Sequence, residues 1–400
     1  MLSFDPGPEM AAELERVRVL GREFLRPLGI EADLTGEAIP AAHPFFQKAW
    51  ELGIGRVGPD DREAREDGGS GERTAARRGV LVAEELAYWD RGAAVALPGP
   101  GLGAPPVRRM GTPEQLERFL GRFRDPSRPR WGAFAMTEPA AGSDVAGIRT
   151  SARRDGEGWV LSGAKTFISN AIRADWIVVW ATVDPAAGRA GHRAFVVERG
   201  TPGLEDMRAE HKMGLIAYES ASFTLRDCRV PSANLLGGED HYRALAGFKG
   251  AMESFNATRP MIAVMAVGIA RAAYDAARAF AREHYVLVRP LPRHQRITAK
   301  LARMARKIEV ARLLCWRAAT LADVEQPNQI EASMAKAFAP AAAQEVTSLA
   351  LEILGEAGVR QDRYVEKLYR DVKAMDIVEG TGQIQRIVIA RRLVGYPAAS

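Results

Sequence analysis

The sequence predicts an α+β protein of three domains: an N-terminal α-helical domain (residues 1–130), a central antiparallel β domain (131–240) and a C-terminal four-helix bundle (241–400). Three observations support this division. Apolar residues recur at helical spacing in the first and last thirds of the chain. Short β-branched runs separated by turn residues occupy the middle third. A chain of 400 residues is also longer than one small core usually requires.

The N-terminal domain is predicted from two segments with helical periodicity, Glu9–Leu28 and Thr74–Asp90. Residues 112–115 read Thr-Pro-Glu-Gln, which is the pattern of a helix start. Threonine serves as the N-cap, proline takes the first helical position, and glutamine follows three residues after the cap. Turns rich in glycine and proline, such as Pro98–Gly103, separate the helices.

The central domain is predicted from short runs of β-branched and aromatic residues, Trp176–Val183 and Ala194–Glu198. Asp155-Gly156 and Asp184-Pro185 mark turns between strands. No long helix lies between these strands in the sequence, which argues against a parallel nucleotide-binding sheet.

The C-terminal bundle is predicted from four long segments that carry helical periodicity: His241–His284, Gln295–Glu325, Gln329–Glu356 and Gln361–Leu393. Pro290, Pro292 and Pro327 fall between them, where helices are expected to end. Four long helices in series favour an antiparallel bundle.

Composition excludes several classes of function. A net charge of +5 over 400 residues is too weak and too dispersed for a nucleic-acid binder. The longest apolar run, Met261–Ala270, is too short to cross a membrane, and the N-terminus lacks the pattern of a signal peptide. Two distant cysteines, Cys228 and Cys315, indicate reduced thiols, and the six histidines lack metal-ligand spacing. We therefore expect a cytoplasmic protein without a metal site.

Two motifs suggest chemistry. Residues 136–144 read Met-Thr-Glu-Pro-Ala-Ala-Gly-Ser-Asp, a turn whose amide groups and hydroxyls could hold a heterocycle edge and a phosphate. The strand that follows presents Phe167 and Ser169. A polar hairpin turn beside a core phenylalanine explains these residues about equally well.

The second motif is Glu379-Gly380-Thr381-Gly382, which is followed by a predicted helix. A glutamate at this place is usually a partner of the helix dipole. The functional interpretation is a general base on a tight turn that exposes its backbone. By itself, the motif favours the capping role.

Together the motifs resemble the acyl-CoA dehydrogenase family, and the resemblance covers nearly the whole chain. It includes further matching segments in chain order: Glu84–Ala87, Gly111–Gln115, Lys212–Gly214, Arg229–Pro231, Asn234–Gly237 and Arg370-Asp371. Members of this family bind FAD, usually form tetramers, and consist of a helical domain, a β domain and a four-helix bundle. The resemblance therefore implies the same three-domain architecture that the hydrophobic periodicity predicts.

The resemblance also implies residue roles. Glu379 matches the base that removes the α-proton of an acyl-CoA or acyl-carrier thioester while the β-hydride passes to flavin N5. The implied cofactor contacts are Phe134, Met136, Thr137, Gly142, Ser143, Phe167, Ile168, Ser169, His284, Gln295, Glu352, Gly355, Glu356, Thr381 and Gln383. The implied substrate contacts are Ser143, Phe255, Asn256, Arg259, Gly380, Leu97 and Pro98. An electron-transferring flavoprotein is the implied electron acceptor.

Several positions depart from the family pattern. His284 stands where an arginine usually contacts the FAD pyrophosphate of the neighbouring subunit, and a histidine is a weaker phosphate ligand. Glu352 and Glu356 replace a glutamine and a glycine, and like charges repel phosphate. Three explanations remain open: altered FAD contacts, a heterotetramer with a different partner chain instead of a homotetramer, or a subunit that does not catalyse. A flavin oxidase or monooxygenase of the same fold is the alternative activity.

Overall fold

The computed structural model describes residues 7–57, 74–243, 247–285, 290, 294–360 and 364–396, without the side chains of residues 247–257. The helices of the N-terminal part are α1 (Gly7–Leu20), α2 (Arg26–Thr35), α3 (Pro44–Glu51), α4 (Ala75–Ala96), α5 (Ala104–Met110) and α6 (Pro113–Leu120). One π-helical turn joins α1 to α2. The predicted helical segment 9–28 is therefore helical throughout, and the helix continues to Thr35. The capping box predicted at residues 112–115 is formed.

The central part contains seven strands: β1 (Gly132–Ala135), β2 (Ser151–Asp155), β3 (Gly158–Ser169), β4 (Trp176–Thr182), β5 (His192–Glu198), β6 (Leu204–Ala209) and β7 (Ser220–Pro231). They form one sheet in the order β1-β4-β2-β3-β7-β6, with β5 paired to β4. Every residue of β4 is buried, which explains why its sequence is continuously apolar.

The fold class is the predicted one, but the sheet is not antiparallel throughout. β1 and β4 run parallel, with Gly132 opposite Trp176, and β2 and β4 share one parallel pair. The chain leaves the sheet edge after β1, forms the antiparallel hairpin of β2 and β3, and returns in the original direction. Turn residues and strand periodicity identify strands but do not identify their partners.

The C-terminal helices are α7 (Gly238–Arg243), α8 (Gly247–His284), α9 (Gln295–Asp323), α10 (Gln329–Leu354), α11 (Tyr364–Ile377) and α12 (Gly382–Leu393). The predicted fourth bundle helix is therefore two helices separated by the turn around Glu379. By length and composition, Thr258–His284 could cross a membrane, but two thirds of its most apolar part is buried inside the protein. It is a core helix here.

Two hydrophobic cores cross the predicted domain boundaries. Helices α1–α4 share one core with the C-terminal helices, whereas α5 and α6 share the other with the sheet. The first core also contains a buried charged cluster. Lys367 Nζ lies 2.7 Å from Asp90 and 2.5 Å from Asp371, and the backbone N–H of Leu215 donates to Asp371 at 2.5 Å. This ionic cluster joins α4, α11 and the loop between β6 and β7.

We predict that Lys367→Met lowers the free energy of unfolding by about 3–5 kcal/mol, because it leaves two buried carboxylates without their cation. Burial alone would lower the pKa of Lys367, but Asp371 and Asp90 hold it well above its usual value. Chemical denaturation would measure the loss. The control is Lys300→Met, which removes a partly exposed ion pair with Glu352 and should cost about 0–1 kcal/mol. Equal losses in both variants would contradict the prediction.

Candidate active site

The predicted base lies on a left-handed turn between α11 and α12. Glu379 has φ 55° and Gly380 has φ 91°. A residue with a side chain adopts this conformation only when its surroundings impose it, and such residues concentrate at functional sites. The Thr381 hydroxyl accepts a hydrogen bond from Ile384 N at 3.3 Å and so caps α12. The capping role predicted for this motif therefore belongs to Thr381, and Glu379 is left available.

A fully buried lysine holds this turn through its carbonyl oxygens. Lys336 on α10 has 0% exposure, and its Nζ donates to the carbonyl oxygens of Gly380 at 3.2 Å and Asp376 at 3.4 Å. The Gln385 amide also donates to Gly380 O, at 3.1 Å. Burial lowers the pKa of Lys336 to about 8. These donors occupy the carbonyl side of the turn and hold the conformation of Glu379.

The Glu379 carboxylate is enclosed by protein. Both of its oxygens are buried, and neither accepts a hydrogen bond of normal geometry from the described residues. Burial raises its pKa, while the Thr258 hydroxyl and the cations Lys336, Arg91 and Arg259 act to lower it. A carboxylate that is desolvated but not neutralised by a direct ion pair is suited to accept a proton.

The motif at residues 136–144 is held against β3. Thr166 N donates to Thr137 O at 3.0 Å. Lys165, which is also buried, donates to Met136 O at 3.0 Å and to Glu138 at 2.8 Å. Burial lowers the pKa of Lys165 to about 8. The lysine is therefore a structural support for the turn.

The turn at residues 136–144 and the end of β3 together present an open surface beside Lys165. Phe167 has φ 56° and is 60% exposed, which is unusual for a large apolar side chain. Gly142 and Ser143 are exposed, and no atom lies within 4 Å of a Cβ built at Gly142. Phe134, Thr137 and Ser169 are half-buried, whereas Met136 and Ile168 belong to the core. An aromatic ring, hydroxyls and open backbone fit a flat, polar-edged ligand.

Hydrogen bonds bring this surface towards the base. The side chain of Asn170, at the end of β3, donates to Val95 O on α4 at 2.7 Å. Arg91, one turn earlier on α4, lies within electrostatic range of Glu379. The end of β3, the end of α4 and the turn after α11 therefore converge.

The predicted substrate contacts lie around this convergence. Arg259 is buried beside Glu379, and Gly380 is half-buried. Leu97 and Pro98 directly follow α4, and Pro98 is buried. The side chains of Phe255 and Asn256 lie outside the described residues.

The remaining predicted cofactor contacts are on the surface of the bundle, and all of them except Gln383, which lies in the first turn of α12 next to the base, are distant from the turn at Glu379. His284, Gln295, Glu352, Gly355, Glu356 and Gln383 are all exposed. Thr258 and His284 stand at opposite ends of one helix segment, about 39 Å apart along its axis at about 1.5 Å per residue. The His284 ring stacks on Phe280 with centroids 3.9 Å apart, and Glu352 pairs with Lys300 at 2.7 Å. His284 is therefore far from the part of α8 that approaches the base.

Sequence reasoning missed three groups around the base. The motifs assign no role at the base to Arg91, Lys336 or Thr258, all of which act on the Glu379 carboxylate. A charged residue within an apolar helical stripe, such as Lys336 among alanines, was the available signal.

The cysteines have the properties expected of inert thiols. Cys228 and Cys315 are buried and unpaired with each other, and burial raises the pKa of Cys228 to about 11. Among the residues that the structure describes, no group of three or more His, Cys, Asp or Glu side chains could hold a metal ion.

Comparison with known proteins identifies the family. Sequence profiles of the acyl-CoA dehydrogenase N-terminal, middle and C-terminal domains match residues 8–125, 133–228 and 246–394. An acryloyl-CoA reductase (NADH) from Anaerotignum propionicum is 36% identical over 391 residues, 96% of this chain and 95% of the relative. A cyclohexane-1-carbonyl-CoA dehydrogenase from Geobacter metallireducens is 36% identical over 392 residues, 98% of this chain and 99% of the relative.

The fold agrees with this relationship. The solved structure of butyryl-CoA dehydrogenase from Megasphaera elsdenii superimposes with a TM-score of 0.86 at 32% identity, covering 98% of this chain and 100% of that chain. The chain therefore belongs to the acyl-CoA dehydrogenase family, whose members are generally flavin-dependent oxidoreductases.

Proposed function

We propose that this protein is an FAD-dependent dehydrogenase that removes the α-proton and β-hydride of an acyl-CoA or acyl-carrier thioester. The observation that carries the proposal is the buried Glu379 carboxylate, without a hydrogen bond of normal geometry from the described residues, on a left-handed turn. Glu379 N–H also forms no hydrogen bond with described backbone or side-chain groups. One residue thus offers a proton acceptor and an unused donor side by side.

The residues present fit the ring end of FAD. Exposed Phe167 and half-buried Thr137 and Ser169 provide an apolar face and hydrogen-bonding edges. The open backbone at Gly142 and the adjacent Ser143 can approach a phosphate closely. When bound there, FAD supplies the acceptor for the hydride that leaves the β-carbon.

Glu379 takes the α-proton in this scheme. Its backbone N–H donates to the thioester carbonyl and stabilises the negative charge that develops on that oxygen. Lys336 donates to the carbonyl oxygens of Asp376 and Gly380, so these acceptors are already occupied and do not compete for that N–H. Arg259 and Thr258 keep the carboxylate ionised until substrate arrives.

The site is completed by a second chain. His284, Gln295, Glu352, Gly355 and Glu356 lie too far along the bundle to reach the cofactor of their own chain, and they are exposed. Apolar side chains at the end of α12 are exposed as well, among them Leu393 and Val394, which favours assembly. We propose a tetramer, homomeric or heteromeric, that passes electrons to an electron-transferring flavoprotein.

The first prediction concerns the base. Glu379→Gln keeps the shape of the turn but cannot accept a proton, so thioester-dependent reduction of an electron acceptor should fall at least about 1,000-fold. The variant should retain as much flavin as the unmodified chain, measured by visible absorbance. Glu117→Gln, a change of an exposed glutamate, is the control. Retained turnover in Glu379→Gln would overturn the assignment. Oxygen consumption without an added acceptor would indicate an oxidase instead.

The second prediction concerns the cofactor half-site that faces a partner. Glu356 places a carboxylate where the anionic half of FAD is expected to lie, so the chain purified alone should carry clearly less than one FAD per chain. Glu356→Gly should raise that ratio, and Glu117→Gln should not. The ratio follows from flavin and protein absorbance. A stoichiometric, tightly held flavin in the unmodified chain would contradict the prediction and favour altered contacts within a homotetramer.

The third prediction concerns pH. Glu379 must be ionised to accept a proton, and burial raises its pKa above the ordinary glutamate value. The value of kcat/KM should therefore rise with pH, and the midpoint of this rising limb should lie above the ordinary pKa of glutamate. Lys336→Met removes a neighbouring cation that favours the ionised form, so the limb should move to higher pH. Lys300→Met is the control and should leave the limb in place. An unmoved limb in a folded Lys336→Met protein would refute the electrostatic role.

A further inference from the structure

A cavity of about 660 Å³ lies where the N-terminal helices meet the start of the sheet. Its walls come mainly from three segments: residues 38–42 between α2 and α3, residues 128–131 before β1, and residues 172–175 between β3 and β4. Arg199 and Glu219 complete the lining. None of these residues belongs to the two motifs or to the predicted cofactor and substrate contacts. The volume falls in the range of about 300–1,000 Å³ that is typical of small-molecule sites.

A buried arginine in the wall of this cavity keeps one nitrogen unused. Arg173 is 9% exposed, and it donates through Nε to Glu219 at 2.9 Å and through Nη2 to Ile39 O at 2.9 Å. Its guanidinium also lies 5.5 Å from the ring centroid of Phe46 and 5.7 Å from that of Trp131. Its Nη1 is buried and finds no acceptor in the part of the chain that the structure describes. A buried donor of this kind costs free energy until an acceptor reaches it.

The lining also carries an excess of positive charge. Three guanidinium groups face two carboxylates, namely Arg128, Arg173, Arg199, Asp175 and Glu219. Glu219 is paired with Arg173. Asp175 is shared between Arg128, at 2.5 Å, and Arg130, at 3.3 Å. The carboxylates therefore do not balance the cations around the cavity, and an anion is the ligand that this charge favours.

Arg199 is the cation that lacks a carboxylate. It is exposed, and it donates through Nε to Ala174 O at 3.0 Å and through Nη2 to Ile172 O. Within the described ranges it forms no ion pair. Two main-chain carbonyl oxygens thus hold the guanidinium in place without neutralising it. A guanidinium fixed in this way is suited to bind a carboxylate or a phosphate.

The rest of the lining is mostly apolar. Its larger members are Ile39, Pro40, Pro129, Trp131 and Ile172. The indole N–H of Trp131 already donates to Ala96 O at 2.9 Å, so Trp131 offers only carbon surface to a ligand. Apolar walls with a few convergent polar groups are the usual composition of a small-molecule site. The rigid rings of proline and tryptophan suit a flat ligand.

We propose that this cavity binds a small organic anion, in which a carboxylate or a phosphate ester is attached to a flat apolar body. The head group accepts hydrogen bonds from Arg173 and Arg199, and the body lies against the apolar lining. The proposal does not depend on the reaction at Glu379. The alternative is that the two arginines only connect the loops through carbonyl oxygens and Glu219, and such a role predicts no affinity for anions.

The test is a calorimetric titration of the purified protein with three probes of one shape. The anions are 4-bromobenzoate and 4-bromophenyl phosphate, and 4-bromobenzamide is the neutral probe. At least one anion should bind with a Kd of about 1 mM or tighter, and about 10-fold to 100-fold more tightly than the amide, which is the range of charge-assisted hydrogen bonds. The anion that binds more tightly identifies the head group. Anomalous scattering from bromine in crystals grown with that anion should place it between Trp131 and Arg199.

Two variants test the arginines. Arg199→Gln removes an exposed cation and should keep the fold, while the affinity for the anion falls about 10-fold. Arg173→Lys keeps a cation beside Glu219 but removes Nη1, and should weaken anion binding to a similar extent. The matched control is Arg226→Gln, an exposed guanidinium on β7 that already pairs with two carboxylates. The control should bind the anion as the unmodified chain does, and amide binding should change little in every variant.

Each outcome decides the proposal. Equal affinity for the anions and the amide would overturn it, as would the absence of binding by both anions. An unchanged affinity in Arg199→Gln would also overturn it, and this variant decides alone if Arg173→Lys does not fold. A bromine signal without binding in solution would be binding at crystal concentration only, which contradicts the proposal. Since no probe is a thioester, a negative result leaves the proposed function to its own test at Glu379.

Discussion

The buried ionic cluster of Lys367, Asp90 and Asp371 is the interaction on which the site depends most. It connects a helix from the N-terminal part, a helix from the C-terminal part and, through Leu215 N, the loop that leads into β7. These elements are more than 100 residues apart in sequence and share no continuous strand or helix. A buried ion pair contributes little net stability, but it allows few arrangements, because each charge must meet its partner. The cluster therefore fixes the placement of α4 relative to α11. Helix α4 carries Arg91, and α11 ends just before Glu379.

Conformational strain and charge act together at the base. The left-handed backbone of Glu379 is unfavourable for a residue with a side chain, and it persists because Lys336 and Gln385 bind the carbonyl of the next residue. The same lysine lies close enough to favour the ionised carboxylate. A replacement that restored the backbone hydrogen bonds without the charge would separate these contributions. The flanking helices also hold the turn in place, since α11 ends directly before it and α12 begins directly after it.

The sequence predicted long periodic helices, a β-rich centre and the two motifs because these depend on local patterns. It did not reveal that β1 and β4 are parallel, since pairing depends on how the chain returns to the sheet. It placed a fourth bundle helix across residues 361–393, because the apolar periodicity continues on both sides of the turn at Glu379. Arg91 and Lys336 escaped notice for a related reason. Their importance comes from their action on a carboxylate that is distant in sequence. A charged residue in an apolar stripe, such as Lys336, signals burial but does not identify its partner.

The exposed residues His284, Glu352 and Glu356 support the proposal that a second chain completes the cofactor site. They lie near the far ends of long helices whose opposite ends approach the base, so the helix length separates the two halves of a cofactor site. In the symmetric assembly that we propose, the far end of one bundle would meet the near end of another, and both sites would be completed at once. A chain with acidic residues at its far end contributes poorly to its partner's site, although its own near end is intact. Of the two assemblies that we propose, the heteromeric one would give such a chain a complete site from a partner without these carboxylates.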